Sequence, residues 1–552
     1  MLTCQRLTSK SKVVCDSIYP CKHCKLQMLG ERVSYSASLQ EFKISKASVP
    51  EHVPHHSDNE IRNAVLRQLA AVESEMEQTR ALLREQSEER LRLYSKLNSL
   101  SPIDLLPAEI KTEIFHNALL SKNFHTTREG DLPVTPFFLG KICQGWRNFV
   151  WSSPALWADI HLCLSKRRYE SQTSLLHEWL SRTAGCALSF HLTTADSESS
   201  WRAWIVDPPT EVLVAFASVS KQWKEIEFFI PDNKDCFDAI SVDKTSLPLL
   251  TTAAVRLLGP VERKIDLFSM APQLSALHLH PEFYLDIVTA PWHQLREFSH
   301  SESSTVDEIR GFLHKAPNIV RCSFNDIDSA ILNPGSLNLD LFDRSPMLEH
   351  LEYLEFSFCS LNTEATRILG PIKLPSLREI SLSGSFGSSL PILESIMTSF
   401  HSSPLLENFT LGGTITSDYD LIRVLEKIPS IRDLCLSFNT SRYELLTNEL
   451  LQRLCPPHEN ILLPNLWSLT YDGPTSLKYH MHLLRDVLVY RSRQSALHST
   501  ELHSKTSTSQ IRSVTVITAD ELVISPDIQH DLDTLVQEGL MLSLTPTIRF
   551  GA

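Results

Sequence analysis

The strongest constraint on this chain is a short apolar phrase, Pro-x-Leu-x-x-Leu-x-Leu, that returns along its C-terminal part. It reads Pro272-Gln-Leu274-Ser-Ala-Leu277-His-Leu279, then Pro317-Asn-Ile319-Val-Arg-Cys322-Ser-Phe324 and Pro375-Ser-Leu377-Arg-Glu-Ile380-Ser-Leu382. Pro404, Pro429 and Pro464 head further copies. Pro346 heads a related one with Leu348 and Leu351, and weaker copies begin near Lys221, Pro248 and His293. Successive starts lie 27, 24, 21, 24, 29, 29, 29, 25 and 35 residues apart. A unit this short cannot bury its apolar residues alone, whereas a stack of units can. The chain is therefore expected to build a one-dimensional array.

A period of about 20–29 residues with this leucine pattern belongs to leucine-rich repeats. Each phrase supplies a strand whose apolar residues enter the core while alternate residues face out. An α/β solenoid is expected over 161–545, with helices at 391–402 and 418–428, a loop at 495–510, and a strand at Ser513–Ile517. The stretch 531–544 reads as a last helix and a terminal strand. The register places Ala276, His278, Arg321, Ser323, Glu379, Ser381, Asn408, Thr410, Asp433, Cys435, Ser468 and Thr470 on the concave side. Of these, His278, Arg321, Glu379, Asn408 and Asp433 are candidates for binding a partner protein. Any one of them read alone is equally a solvated side chain on a strand.

Residues 60–98 lack Gly and Pro, and Val65, Leu69, Val72, Met76, Leu83, Leu93 and Leu97 fall on alternating four- and three-residue steps. Thr79, Gln86 and Arg90 interrupt that seam. This predicts a long helix over 60–99, either half of a short coiled coil that makes a homodimer or a single helix lying on the next domain. Residues 1–59 are expected to be a disordered arm, with eight Lys/Arg against three Asp/Glu in the first 50. Cys21 and Cys24 form one CxxC. A structural zinc site usually needs two such pairs, so zinc binding and free thiols both stay open there.

Between 99 and 160 two amphipathic helices are expected. Leu106-Pro107-Ala-Glu109-Ile110 opens the first, with Pro107 at a position where its missing N–H costs nothing, and Ile110, Ile114 and Phe115 on one face. Phe137 to Val150 reads as the second. Three tryptophans within twelve residues, at 146, 151 and 157, mean a compact core or a docking face. The text SLSPIDLLPAEIKTEIF, followed by LGKICQGWRNFVWSSPALWADIHL, resembles an F-box-like domain of the fungal F-box/leucine-rich-repeat protein family. The chain departs from that pattern in an insertion at about 121–136 and in Asp104–Leu105 ahead of the Leu-Pro.

The resemblance implies three parts after the arm: the long helix, an all-helical F-box-like module at 100–160, and the solenoid. It implies a substrate-receptor subunit of a Skp–cullin–F-box ubiquitin ligase. A Skp-type linker would dock on Leu106, Pro107, Ile110, Ile114, Phe115, Leu139, Cys143 and Trp146 and connect the chain to a cullin, while the repeats would hold the target protein. The alternative is a non-catalytic scaffold whose F-box-like module caps the solenoid.

Composition limits other readings. The net charge of −13 weighs against a dominant nucleic-acid binder. Twelve cysteines without regular pairing fit a reduced, cytoplasmic or nuclear setting. No run of about 18 apolar residues occurs, so no membrane span is expected. The sequence has neither GxxxxGK[ST] nor HExxH, and Gly384-Ser-Phe-Gly387 lacks the order of a nucleophile elbow. No catalytic residue, metal ligand or cofactor is assigned. His278 and His280 are read as two side chains on one strand face rather than a metal pair.

Overall fold

The computed structural model describes residues 58–120, 135–194, 204–231, 233–240, 247–258, 264–280, 285, 287–301, 303–327, 347–358, 372–387, 403–415, 417–438, 444–455, 461–475, 477–497, 509–518, 522 and 524–546. Nearly all of the arm at 1–59, with Cys21 and Cys24, lies outside them. So do the insertion, the expected helix at 391–402 and most of the expected loop at 495–510. The chain divides into two units, Met1–Tyr94 and Ser95–Ala552.

In the first unit, helix α1 (Asp58–Ser99) runs 42 residues, crossing the unit boundary at its end. A breaker-free run of Ala, Leu, Glu, Gln and Arg accounts for its length. Val65, Leu69, Val72, Met76, Leu83, Leu93 and Leu97 are all exposed along it. Among the described residues no helix is long and apolar enough to cross a membrane.

The second unit opens with α2 (Ala108–Leu120), α3 (Pro136–Leu139) and α4 (Gln144–Trp151). The single helix expected from Phe137 to Val150 is broken into α3 and α4. Thr135 caps α3, its side chain accepting from Phe138 N–H, and the Cys143 thiol caps α4, accepting from Trp146 N–H at 3.4 Å. The turn between them needs Gly140, because a Cβ there would meet the Trp151 ring at 2.1 Å. That ring packs edge-on against Phe137 at 6.0 Å and Trp157 at 5.3 Å, and this packing overrides a continuous helix. Trp157 is fully buried and donates to the Val150 carbonyl at 2.8 Å, while Trp179 donates to the Trp157 carbonyl at 2.9 Å. Core packing rather than docking accounts for Trp157, with Trp146 and Trp151 half-buried beside it.

Fourteen described strands follow: β1 (Asp159–Leu164), β2 (Leu188–Thr194), β3 (Trp223–Pro231), β4 (Thr252–Leu258), β5 (Ala276–Leu279), β6 (Glu297–His300), β7 (Arg321–Ile327), β8 (Tyr353–Phe358), β9 (Glu379–Gly387), β10 (Asn408–Ile415), β11 (Asp433–Ser437), β12 (Ser468–Asp472), β13 (Ser513–Thr518) and β14 (Met541–Pro546). Each pairs in parallel with the next in sequence, in one sheet. Connections carry α5 (Tyr169–Ser181), α6 (Thr210–Ala217), α7 (Lys234–Ile240), α8 (Val306–Lys315), α9 (Asp418–Glu426), α10 (Asn448–Arg453), α11 (Leu477–Leu497) and α12 (Pro526–Gln537). A helix followed by a parallel α/β stack of this kind is the arrangement of a leucine-rich-repeat-like solenoid.

The register explains the leucines. One inward row runs Ile226, Ala253, Leu277, Phe298, Cys322, Leu354, Ile380, Phe409, Leu434, Leu469 and Val514 across β3–β13. All are buried and share one core with Leu421 and Leu425 of α9 and with Phe115 and Trp157 of the helical module. His300 takes a leucine position of that core and is satisfied there by Ser304 at 2.7 Å. The expected strand at 513–517 is present, and the last helix and terminal strand expected within 531–544 are α12, which starts earlier at Pro526, and β14, which runs on to Pro546.

Candidate functional site

Two surfaces of the second unit gather the candidate residues. On the helical module, Ile110 and Ile114 lie one turn apart on α2 and are 49% and 41% exposed. Leu105 beside them, and Phe138 and Ile142 at the α3 end, are exposed as well. Pro107 is exposed and Leu106, Cys143 and Trp146 are half-buried. Two members of the expected docking set are core residues instead: Phe115 is 2% and Leu139 4% exposed. Phe115 does not share the face of Ile110 and Ile114. Its ring turns inward onto Trp146 at 4.5 Å and Phe149 at 5.6 Å, because one residue step rotates a helical side chain by about 100°. Lys111, one step after Ile110, likewise turns toward the Phe149 ring, 5.1 Å from its centre.

The second surface is the outward side of the sheet. One row aligns Asp159, Ser189, Glu225, Thr252, Ala276, Glu297, Arg321, Tyr353, Glu379, Asn408, Asp433, Ser468 and Ser513. The next aligns His161, His191, Glu227, Ala254, His278, Ser299, Ser323, Glu355, Ser381, Thr410, Cys435, Thr470 and Thr515. The expected outward residues all fall in these rows, and Glu379, Asn408 and Asp433 are direct neighbours on β9, β10 and β11. His278 lies four strands away and bonds Ser299 at 2.7 Å. The rows together hold carboxylates at 159, 225, 227, 297, 355, 379 and 433 against one guanidinium, Arg321. Along the entering edge of the strands, Lys224, Arg296, Arg378, Arg432 and Arg512 are exposed and of opposite sign.

Two neighbours here, Tyr353 and Glu355, were not singled out by the sequence. Arg321 lies over the Tyr353 ring at 4.2 Å, and Glu355 accepts from both Tyr353 Oη (2.9 Å) and Ser323 Oγ (2.8 Å). Burial, and then that contact with the Glu355 carboxylate, push the Tyr353 phenol well above its usual range. Burial and the nearby Glu407 also raise the Asp433 carboxyl. At the other end, burial works to raise the Asp159 carboxyl, but His161, His191 and His116 outweigh it and hold it low. Burial likewise opposes protonation of His191, and the Glu227 and Asp159 carboxylates reverse that.

No protein-family model matches the sequence, and comparison with curated proteins finds no match. Among solved structures the chain is similar to a crystal structure of a TLR13–ssRNA13 complex. The identity is 12%, the match covers 61% of this chain and 61% of that chain, and the TM-score is 0.22. So loose a superposition adds no weight to the fold, which rests on the strand ladder itself.

Proposed function

We propose that the chain is a non-catalytic substrate receptor of a Skp–cullin–F-box ubiquitin ligase, acting in the cytoplasm or nucleus. The observation that carries this reading is the exposure of Ile110 and Ile114, one turn apart on α2, in a module whose opposite side is packed into the solenoid core. An open apolar face on a soluble surface is a docking site for an apolar partner surface. The linker would contact Leu106, Pro107, Ile110 and Ile114, with Phe115, Leu139 and Trp146 supporting them from beneath. The outward rows would hold the target. A segment carrying basic side chains suits the carboxylates of those rows, whose charge would also speed its arrival. Ubiquitin transfer would be promoted by holding the acceptor lysine near the loaded conjugating enzyme, with no nucleophile from this chain.

A scaffold whose module only caps the solenoid is the second reading. The hydrogen bond from Trp179 to the Trp157 carbonyl, which ties the module to the first repeat, favours it. Co-purification separates the two. Ile110→Asp with Ile114→Asp should lose a Skp-type subunit while the chain stays folded; a pure cap would recover none from the outset.

A further inference from the structure

Two histidines that the Pro-x-Leu phrase does not mark meet at the first strands of the sheet. His161 of β1 and His191 of β2 are register partners on the outward side, their rings stacked at 4.2 Å and 7°. Their Nε2 atoms lie 3.2 and 3.8 Å from the same oxygen, Asp159 Oδ1. That oxygen is buried, and no donor reaches it in hydrogen-bond alignment. Behind His191, its Nδ1 meets Glu227 Oε2 at 2.8 Å, and Glu227 is its register partner on β3. The side chains of Asp159, His161 and His191 remain 29%, 31% and 33% exposed, so the cluster is reachable from solvent.

Both imidazole Nε2 atoms face this buried oxygen out of hydrogen-bond alignment, and a cation among the three would take all of them as ligands. A tetrahedral ion with bonds of about 2.0–2.2 Å holds its ligand atoms roughly 3.3–3.6 Å apart, close to the separations found here. Glu227 supplies the second requirement. By accepting from Nδ1–H it leaves the Nε2 lone pair of His191 free to coordinate, the orientation that carboxylates give to metal-binding imidazoles. Two imidazole nitrogens and one carboxylate oxygen suit zinc.

We propose that Asp159, His161 and His191 bind one Zn2+ ion on the outward side of β1 and β2, with Glu227 positioning His191. The fourth coordination position faces solvent and is open to water or to a side chain of a bound partner. Because the two rings are nearly parallel, one must rotate about its Cβ–Cγ bond for both lone pairs to meet the ion.

The test uses the full chain carrying Cys21→Ser and Cys24→Ser, which removes the thiols of the arm. Zinc binding is measured by calorimetry and by metal content after dialysis, and Co2+ is added as a spectroscopic probe. One zinc per chain and the visible bands of tetrahedral Co2+ are expected. His161→Ala with His191→Ala should abolish both without changing the melting temperature of the metal-free chain. Glu227→Gln should weaken zinc on the order of 10–100-fold, as for other carboxylates that accept from the far ring nitrogen of a metal-bound histidine. Should the double histidine variant not fold, Asp159→Asn and Glu227→Gln carry the test. No stoichiometric zinc in the parent, or affinity unmoved by these substitutions, overturns the proposal.

Discussion

Arg491 of α11 ties the C-terminal repeats together through their backbone. It is fully buried, and its guanidinium donates to the carbonyls of Leu454 (3.0 Å), Leu463 (2.9 Å) and Leu462 (2.8 Å). Leu463 adopts a φ of 50°, a left-handed backbone rare for a leucine, and Arg491 pins its carbonyl there. Burial depresses the Arg491 pKa to about 10, so the carbonyl contacts must offset a real desolvation cost. Arg491→Ala would leave buried carbonyls without donors and open a cavity. A loss of about 3 kcal/mol or more is expected in denaturant unfolding, since each unsatisfied buried group costs about 1–3 kcal/mol. A change within about 0.5 kcal/mol, the range of surface substitutions, would show that the guanidinium is dispensable. Nothing in the sequence Tyr490-Arg491-Ser492 distinguishes this residue from a surface arginine. Its role depends on carbonyls 27 to 37 residues away, which no local pattern reports.

At the scale of the element, the strands were legible where the repeated phrase was intact and lost where it was altered. The leucine spacing of Pro404-Leu-Leu406 set the register of β10 because its side-chain period is two, so Phe409 and Leu411 had to face in and Asn408 and Thr410 out. β1 escaped because Pro154-Ala-Leu156 has one residue more before Ile160, and because the same text resembles the close of an F-box. β2 has no proline head, only the alternation Leu188, Phe190, Leu192. The histidine cluster lies on those two strands, and so it went unread. The register itself can be tested. Replacing Glu379, Asn408 and Asp433 by Ala should move stability by about 0.5 kcal/mol or less per site, while Leu406→Ala, at a fully packed position, should cost about 2–5 kcal/mol. The reverse order would mean that the outward and inward rows have been exchanged. For α1, a peptide of residues 58–100 should gain helicity as its concentration rises, because pairing buries a seam that is exposed in the single helix. Helicity that stays flat from micromolar to millimolar would exclude self-association through that seam.

At the scale of the whole molecule, the second unit carries an exposed apolar face on α2 and a long polar outward side of the sheet on one continuous core. That division was half visible in the sequence. The position of the helical module was legible from Leu106-Pro107 and from the Trp-rich close, but which apolar residues would remain open was not. Phe115 and Leu139 look as available in the sequence as Ile110 does, and only their burial in the core, Phe115 against Trp146 and Phe149, removes them from the surface. The most direct measurement of the central claim is calorimetric titration of the purified full chain with a purified Skp-type linker subunit. The wild-type chain should bind in a one-to-one complex. The Ile110→Asp/Ile114→Asp chain, with unchanged circular dichroism and melting temperature, should lose at least 100-fold in affinity, about 2.8 kcal/mol at 1.4 kcal/mol per decade. Absence of binding by the wild-type chain, or equal binding by the folded variant, would contradict the assignment of this face and of the ligase role built on it.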